Sequence, residues 1–224
     1  MCTVTYIKSK EGIILTSNRD EHISKTDASA PVKEIHHNTT LVYPQNNDTG
    51  GTWIGYNGKG VAAVLLNGAF ENHVKKTVYR HSRGKLIPEI LKEINPEQEL
   101  EKRNLTGIEP FTLIVAALNK LIEYRWDEKE LHKKTLDGDE NHFWCSATLY
   151  SKNILNHNQR LFLNQLSNHS PATGIYSFHE QLLYELQLPE ESATNNIRTI
   201  SITQLFISNN DITIKHIPRT GYRQ

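Results

Sequence analysis

The chain opens with MCTVTYIKSKEGIILTSNRDE, residues 1–21, in which two apolar runs flank one turn at residues 10–12. Both runs are rich in Thr, Val, Ile and Tyr, which strands prefer, and the turn contains a glycine. This pattern predicts a β-hairpin. A turn centred on residues 10 and 11 sets Cys2 opposite Arg19, and a turn one residue later sets it opposite Glu21. Either register places Cys2 beside charged residues.

Cys2 suits nucleophilic chemistry because of its place in the chain. Removal of the initiator methionine, usual when the next side chain is small, would give one residue both a thiol and a free α-amine. The α-amine has a pKa of about 7.7–8.0 and can accept a proton near neutral pH. A nucleophile activated by its own N-terminal amine is an established arrangement, and a neighbouring arginine favours the thiolate. The alternative is that Cys2 is a small apolar residue starting a strand.

The Met-Cys start and the tetrapeptide Asn-Arg-Asp-Glu at residues 18–21 together resemble the NRDE family, also called the transport and Golgi organisation two-like family. That family takes its name from the tetrapeptide. The run GGTWIG at residues 50–55 and the segment RGKL at residues 83–86 resemble further family motifs. The resemblance implies a single domain of this kind over residues 1–224.

The family in turn resembles the N-terminal-nucleophile hydrolases of the bile salt hydrolase and penicillin V acylase type. Those enzymes begin Met-Cys, carry Arg and Asp on the second strand, and have a Gly-Asn-x-Lys-Gly turn before an apolar strand ending Leu-Asn. The segments GYNGKG at residues 55–60 and VAAVLLN at residues 61–67 are similar. The resemblance implies an α+β fold with a four-layer αββα sandwich.

The resemblance also assigns roles to individual residues. Cys2 would be the nucleophile, Arg19 would lie against the thiolate, Asp20 would hold the α-amine, and Asn67 would donate to the oxyanion. The residues expected to bind substrate around them are Asn18, Glu21, His22, Trp53 and Ser146. For His22 the alternative is a solvated loop histidine.

Ser146 marks a departure from the related enzymes. They carry a second asparagine in a later Thr/Ser-Asn segment, and the nearest local segment, CSATL at residues 145–149, has Ser146 in its place. A hydroxyl donates one hydrogen bond and cannot reproduce an amide. Losing one oxyanion donor costs about 10²–10³ in rate. The difference argues against efficient amide hydrolysis and leaves the fold prediction unchanged.

Composition excludes several classes of protein. The chain has 224 residues, with 25 Lys plus Arg and 25 Asp plus Glu, so no net charge steers it to nucleic acid or an anionic membrane. It has no apolar run of membrane-spanning length and no signal-peptide pattern at its start. Two cysteines make no disulfide framework, which favours a cytoplasmic location. The second cysteine, Cys145, is expected in the core.

The remaining elements follow from periodicity and turn signals. Residues 21–48 are loop-like, with short apolar pieces at 32–35 and 41–43 as edge strands or loop anchors. Asn57-Gly58 predicts a hairpin before a buried central strand at 61–66. A helix is expected within residues 82–94 with Pro88 in its first turn, and a second one after an Asn95 N-cap. Further on we expect strands at 111–118, 121–126, 130–135 and 143–150, helices within 159–166 and 178–186, and a closing hairpin of 200–207 with 211–217.

Two functions remain open. The first is an N-terminal-nucleophile hydrolase or acyltransferase acting on amides or thioesters of small or lipidic acids. The second is a non-catalytic carrier of haem or of a lipid or acyl ligand, in which Cys2, His22, His36 or His37 touches the ligand. Despite 11 histidines there is no H-E-x-x-H or C-x-x-C motif. We therefore expect no metal site and no cofactor other than haem as a ligand.

Overall fold

Two antiparallel β-sheets lie face to face at the centre of the protein. They are described in a computed structural model that covers residues 2–22, 29–37, 39–148, 152–168, 171–185, 197–209 and 211–218. Within these residues the strands, in chain order, are β1 (Cys2–Lys8), β2 (Ile13–His22), β3 (Pro31–His36), β4 (Thr39–Pro44), β5 (Ile54–Asn57), β6 (Ala62–Asn67), β7 (Phe111–Ala117), β8 (Lys120–Trp126), β9 (Leu131–Thr135), β10 (His142–Cys145), β11 (Ile197–Ile207) and β12 (Ile212–Pro218).

The described α-helices pack in pairs on the outer faces of the sheets. They are α1 (Leu86–Leu91), α2 (Pro96–Lys102), α3 (Lys152–Asn168) and α4 (Pro171–Glu185). The first sheet has the order β10-β1-β2-β11-β12, and the second runs from β3 to β9 in the order β3-β4-β5-β6-β7-β8-β9. No helix among the described residues is long and apolar enough to cross a membrane.

Three apolar clusters hold the layers together. The cluster between the sheets joins Val4 and Leu15 of the first sheet to Val64 of the second. A second cluster packs α1 and α2 on the outer face of the second sheet. The third packs Phe162 of α3 and Phe178 of α4 on the outer face of the first sheet. The layers are therefore helix, sheet, sheet and helix, and the predicted αββα sandwich is confirmed.

The N-terminal hairpin adopts the first of the two predicted registers. Cys2 pairs with Arg19 across β1 and β2, so the register that set it opposite Glu21 is wrong. The observed turn requires a glycine at position 12, because its φ is +154° and a Cβ there would lie 2.2 Å from the carbonyl oxygen of Ile207. Strand β2 continues to His22, so the NRDE tetrapeptide lies on a strand in the middle of the first sheet.

The loop predicted over residues 21–48 is wrong for residues 21–22, which end β2, and for residues 31–36 and 39–44. The latter two ranges are β3 and β4, which pair at the edge of the second sheet. Pro31 and Pro44 suggested a loop, but each stands at the end of a strand, where a missing N–H is tolerated. The apolar pieces at 32–35 and 41–43 are therefore strands, and only β3 is at the edge.

The prediction for β6 is confirmed. It is the fourth of seven strands, it is buried along its length, and it ends at Asn67. Helix α1 has Pro88 in its first turn, as predicted, but ends at Leu91, so Ile94 is 78% exposed instead of joining the apolar face. Helix α2 has the predicted cap, since the Asn95 side chain accepts a hydrogen bond from the Gln98 amide at 3.2 Å.

The later elements agree with the predicted order and differ in length. Strands β7 to β9 form the predicted meander, and β11 with β12 forms the closing hairpin. The strand predicted over 143–150 stops at Cys145, and residues 149–150 lie outside the described residues. Helices α3 and α4 both start earlier than predicted, and residue 186 lies outside the described residues.

Asn57 links the hairpin turn after β5 to the end of α1. Its buried side-chain amide donates to the carbonyl oxygen of Leu91 at 3.0 Å, and its Oδ1 accepts from the backbone amides of Lys59 at 3.1 Å and Val61 at 3.0 Å. We expect Asn57→Ala to lower the free energy of unfolding by about 2–4 kcal/mol, since a buried side chain loses three hydrogen bonds. Urea unfolding measures this.

Asn119→Ala is the matched control, because Asn119 is an exposed asparagine in the turn between β7 and β8. Its free energy of unfolding should stay within about 0.5 kcal/mol of wild type. Equal stability of the two variants would contradict the structural role of Asn57.

Candidate functional site

A cavity of about 500 Å³ opens where β2 and β6 end. Its wall combines residues that are distant in the chain: the end of β2, the segment before β5, the end of β6, and the irregular chain between β6 and α1. Four of the predicted site residues lie on this wall, namely Arg19, Glu21, Trp53 and Asn67. The backbone of Cys2 pairs with Arg19, which sets Cys2 beside the cavity.

Arg19 is a buried cation, and one nitrogen of its guanidinium has no hydrogen-bond partner among the described residues. Its side chain is 4% exposed, and its guanidinium carbon lies 4.3 Å from the centre of the Trp53 ring, a cation–π contact. Its Nη2 lies 3.6 Å from Glu21 Oε1, while Nη1 has no hydrogen-bond partner among the described residues. The guanidinium is thus held on the indole while one N–H group remains available to a ligand or an anionic sulfur.

Asn67 and Ser146 meet beside the N-terminal strand. The backbone amide of Asn67 donates to the hydroxyl of fully buried Ser146 at 3.3 Å. Thr3 pairs with Cys145 between β1 and β10. Continued by one residue, this antiparallel register sets Ser146 beside Cys2. The position that holds serine in place of the expected asparagine therefore adjoins both Cys2 and Asn67.

The structure does not bring Asn18, Asp20 or His22 to the cavity. The Asn18 amide donates to the carbonyl oxygen of His179 at 3.0 Å and accepts from its Nδ1 at 2.6 Å, which ties β2 to α4. Strand alternation puts Asp20 on that same helix-covered face, where it accepts a hydrogen bond from the Thr199 hydroxyl. His22 is exposed at the end of β2.

The cavity also contains residues that sequence reasoning did not assign to the site. Arg83 is held by Glu109, with 2.9 Å between Nη2 and Oε2, and donates to the Pro110 carbonyl oxygen at 2.7 Å. Lys75 and Tyr79 come from the irregular chain between β6 and α1. A signal existed for Arg83, because it opens the RGKL segment that resembles a family motif.

The two glycine motifs of the sequence lie against each other at this wall. The Thr52 amide donates to the Gly84 carbonyl oxygen at 2.9 Å. A Cβ on Gly51 would lie 2.8 Å from the carbonyl carbon of Gly84, so the approach requires a glycine. This contact brings Arg83 and Trp53 to the same cavity.

The environment of Cys145, the second cysteine, disfavours its thiolate. It was expected in the core but is partly exposed in β10, with its Sγ 3.7 Å from the Thr3 hydroxyl. Burial of the thiol, more than any other cause, raises the pKa of Cys145 far above its ordinary value. Among the described residues, no group of three His, Cys, Asp or Glu side chains could hold a metal ion.

The sandwich and its terminal strand pair define the N-terminal-nucleophile hydrolase fold, and solved structures share it. The Caenorhabditis elegans N-acylethanolamine-hydrolyzing acid amidase ortholog matches with a TM-score of 0.64 at 12% identity, covering 92% of each chain. Penicillin V acylase from Agrobacterium tumefaciens matches at 0.55 and 11% identity, covering 97% of this chain and 86% of its own. A mutant conjugated bile acid hydrolase from Clostridium perfringens matches at 0.52 and 11%, covering 97% and 92%.

Within this fold the chain belongs to the Transport and Golgi organisation 2 family, whose model matches residues 1–222. This confirms the resemblance drawn from the NRDE tetrapeptide. A comparison with curated protein sequences finds no match. At 10–12% identity the structural neighbours show the fold and leave the chemistry to be argued from the site.

His179, the partner of Asn18, should make stability depend on pH. Burial lowers the pKa of His179 to about 3, and its Nε2 lies 2.8 Å from the Thr5 hydroxyl. In the unfolded chain a histidine binds a proton below about pH 6.5. The unfolded state therefore takes up the proton first, and stability is lost as the pH falls from 6.5 towards 3, by up to about 1.4 kcal/mol per pH unit.

Urea unfolding at pH 7 and pH 5 checks this expectation. His179→Gln should reduce the difference in unfolding free energy between the two pH values, whereas His157→Gln, an exposed histidine of α3, should leave it unchanged. The same pH dependence in all three proteins would assign it to other groups.

A second prediction concerns the reactivity of the Cys145 thiol. Iodoacetamide reacts with thiolates, so Cys145 should stay unmodified in the folded protein at pH 8 because its pKa is raised. In urea at the same pH, Cys145 should be alkylated. Peptide mass spectrometry distinguishes the two cysteines, and rapid labelling of Cys145 in the folded chain would contradict its raised pKa.

Proposed function

We propose that the protein is an N-terminal cysteine hydrolase or acyltransferase that acts on amide or thioester bonds of small acyl substrates. The observation that carries the proposal is the pairing of Cys2 with Arg19 at the edge of a cavity whose wall includes Asn67. A nucleophile, a cation beside it and an amide near it are the groups that acyl transfer needs.

In the first half of the reaction, the Cys2 sulfur attacks the acyl carbon. Removal of Met1 frees the α-amine, which takes the thiol proton and passes it to the departing nitrogen or sulfur as the carbon–heteroatom bond breaks. The side-chain amide of Asn67 donates to the carbonyl oxygen as that oxygen becomes negative. Arg19 favours the thiolate. The mechanism does not use Asp20, which the sequence suggested would hold the α-amine, because Asp20 accepts from Thr199 on the helix-covered face.

In the second half, the thioester on Cys2 is transferred to water or to another acceptor. The α-amine now takes a proton from the attacking water, and the sulfur leaves the acyl carbon as the acid is released. One group therefore serves as base in both halves, as general acid–base catalysis requires of a proton shuttle.

Three features support this proposal. Arg19 is held on Trp53 with an N–H group left unpaired, so a negative sulfur would find a partner there. Asn67 stands at the end of a buried central strand, which is a rigid mount. The structural neighbours are named as an amidase, an acylase and a hydrolase.

The second candidate is a non-catalytic carrier of haem or of an acyl ligand on the same fold. Ser146 favours it, because this residue adjoins Asn67 with a hydroxyl in place of an amide. A hydroxyl offers one donor and would stabilise an oxyanion less well. The two candidates differ in whether Cys2 forms a covalent bond to an acyl group.

The test compares wild type with Cys2→Ala and with Cys145→Ala as the matched cysteine control. Each is measured with a panel of acyl p-nitroanilides and acyl thioesters, after its intact mass has been determined. We expect the wild-type mass to lack Met1, Cys2→Ala to lose at least about 10³-fold in turnover, and Cys145→Ala to stay within about twofold.

Two outcomes would reject the enzyme. Retention of Met1 removes the free amine on which the mechanism depends, and full activity in Cys2→Ala removes the nucleophile. If the panel shows no turnover while hemin binds saturably and Cys2→Ala abolishes that binding, the carrier function replaces it.

A further inference from the structure

Two buried donors on the cavity wall lack an acceptor among the described residues. They are Nη1 of Arg19 and the indole Nε1 of Trp53, in side chains that are 4% and 6% exposed. A buried donor without a partner costs about 1–3 kcal/mol, so native proteins rarely keep one unless a ligand or a water pairs with it. Two such donors in contact on one wall indicate a place where acceptor atoms bind.

The acids on the wall do not occupy the two orphaned donors. Glu21 lies 3.6 Å from Nη2 of Arg19, and Glu109 pairs with Arg83 at 2.9 Å and with His73 at 3.2 Å. A third acid, Asp48, is exposed at the rim.

Lys75 adds a cation to the same wall. It is exposed, and no ion pair to it is found among the described residues. A ligand group with negatively charged oxygens would accept from the orphaned donors and be attracted by the positive charge of Lys75, whereas a neutral group would only accept from the donors.

The rest of the lining does not suit a hydrocarbon chain. Leu65 is the single aliphatic residue among the described residues on the wall, which otherwise carries hydroxyl, amide, aromatic, glycine and charged groups. Filling the cavity with an alkyl chain would take those polar groups out of water without giving them partners.

We propose that this cavity binds an anionic oxygen group of the substrate, a carboxylate or a phosphate, through Arg19, Trp53 and Lys75. The substrate class is thus a polar acyl compound with a negative charge near the scissile bond, and not a long-chain fatty acyl compound. The acyl part of this inference rests on the proposed function, whereas the anion site stands on the orphaned donors.

The test is a pair of amides that differ in one group. Succinamate carries a carboxylate where butanamide carries a methyl group, and the two have the same chain length. Calorimetric titration of each into the Cys2→Ala chain, which has no nucleophile to consume them, gives two dissociation constants at equal ionic strength. We expect succinamate to bind at least about tenfold more tightly, as a charge-assisted contact to a buried cation implies.

Single substitutions test two of the three groups, Trp53 and Lys75. Trp53→Phe keeps an aromatic ring and removes the N–H group, and Lys75→Met removes the charge at the rim; each should weaken succinamate binding by about three- to tenfold. Lys59→Met is the matched control, since Lys59 is an exposed lysine at a separate cavity lined by residues of the β5–β6, β7–β8 and β11–β12 turns. That variant should bind as tightly as its parent.

Inorganic phosphate separates the two anions. Displacement of succinamate by phosphate supports a site for either group, and binding of phosphate without succinamate assigns the site to a phosphate. Equal binding of succinamate and butanamide would overturn the inference, as would binding of neither succinamate nor phosphate, because water would then satisfy the orphaned donors.

Turnover distinguishes this inference from the proposed function. If succinamate binds and wild type turns over no acyl donor, the anion site stands and the enzyme does not. If wild type turns over butyryl p-nitroanilide as fast as succinyl p-nitroanilide, the enzyme stands and the anion site is not used for its substrate.

Discussion

The burial of one guanidinium shapes the site. Arg19 lies at the end of the gap between two sheets, where a charge without compensation would be strongly destabilising. The face of Trp53 and the carboxylate of Glu21 provide part of that compensation. Trp53 in turn depends on the close approach of Gly51 and Gly84, which joins the segment before β5 to the segment before α1. A substitution in either glycine motif would therefore alter the position of the Trp53 indole and, with it, the position of Arg19.

The NRDE tetrapeptide contributes side chains to both faces of the first sheet, because side chains alternate along a strand. Asn18 and Asp20 face the helix-covered side and are tied to His179 and Thr199. Arg19 and Glu21 face the cavity. The same four residues thus anchor α4 and β11 to β2 while they build the wall of the site. This division explains why two of the four are buried polar residues that never reach the cavity.

Local signals predicted most of the fold. The turn at residues 10–12 limited the hairpin to two registers without selecting between them. The close approach of Gly12 to Ile207, 195 positions away, is likewise not visible in the local sequence. The prolines at residues 31 and 44 favoured the incorrect loop prediction, because a proline excludes a strand when it lies inside it but is tolerated at its end.

The site was harder to predict from the sequence than the fold, because several of its residues are distant in the chain or lie in irregular segments. Lys75 and Tyr79 lie in a segment with no periodicity, and His179 reaches Asn18 across 161 positions. Arg19 and Asn67 could be assigned because each stands next to a strand signal and within a recognisable motif. Lys75 and Tyr79, which lie in an irregular segment, have neither a neighbouring strand signal nor a recognisable motif.

The proposed chemistry and the proposed ligand depend on different parts of the molecule. The strands β1, β2 and β6 set the relation between Cys2, Arg19 and Asn67, and neighbours at 10–12% identity share this sandwich. The wall that faces them is built from the segments around residues 46–53 and 75–84, which are largely irregular. Irregular segments vary more readily than the strands that hold them. A polar, charged wall on a scaffold shared with a bile acid hydrolase is therefore physically consistent, because the strands determine where acyl transfer would occur and the irregular segments determine which acyl group fits.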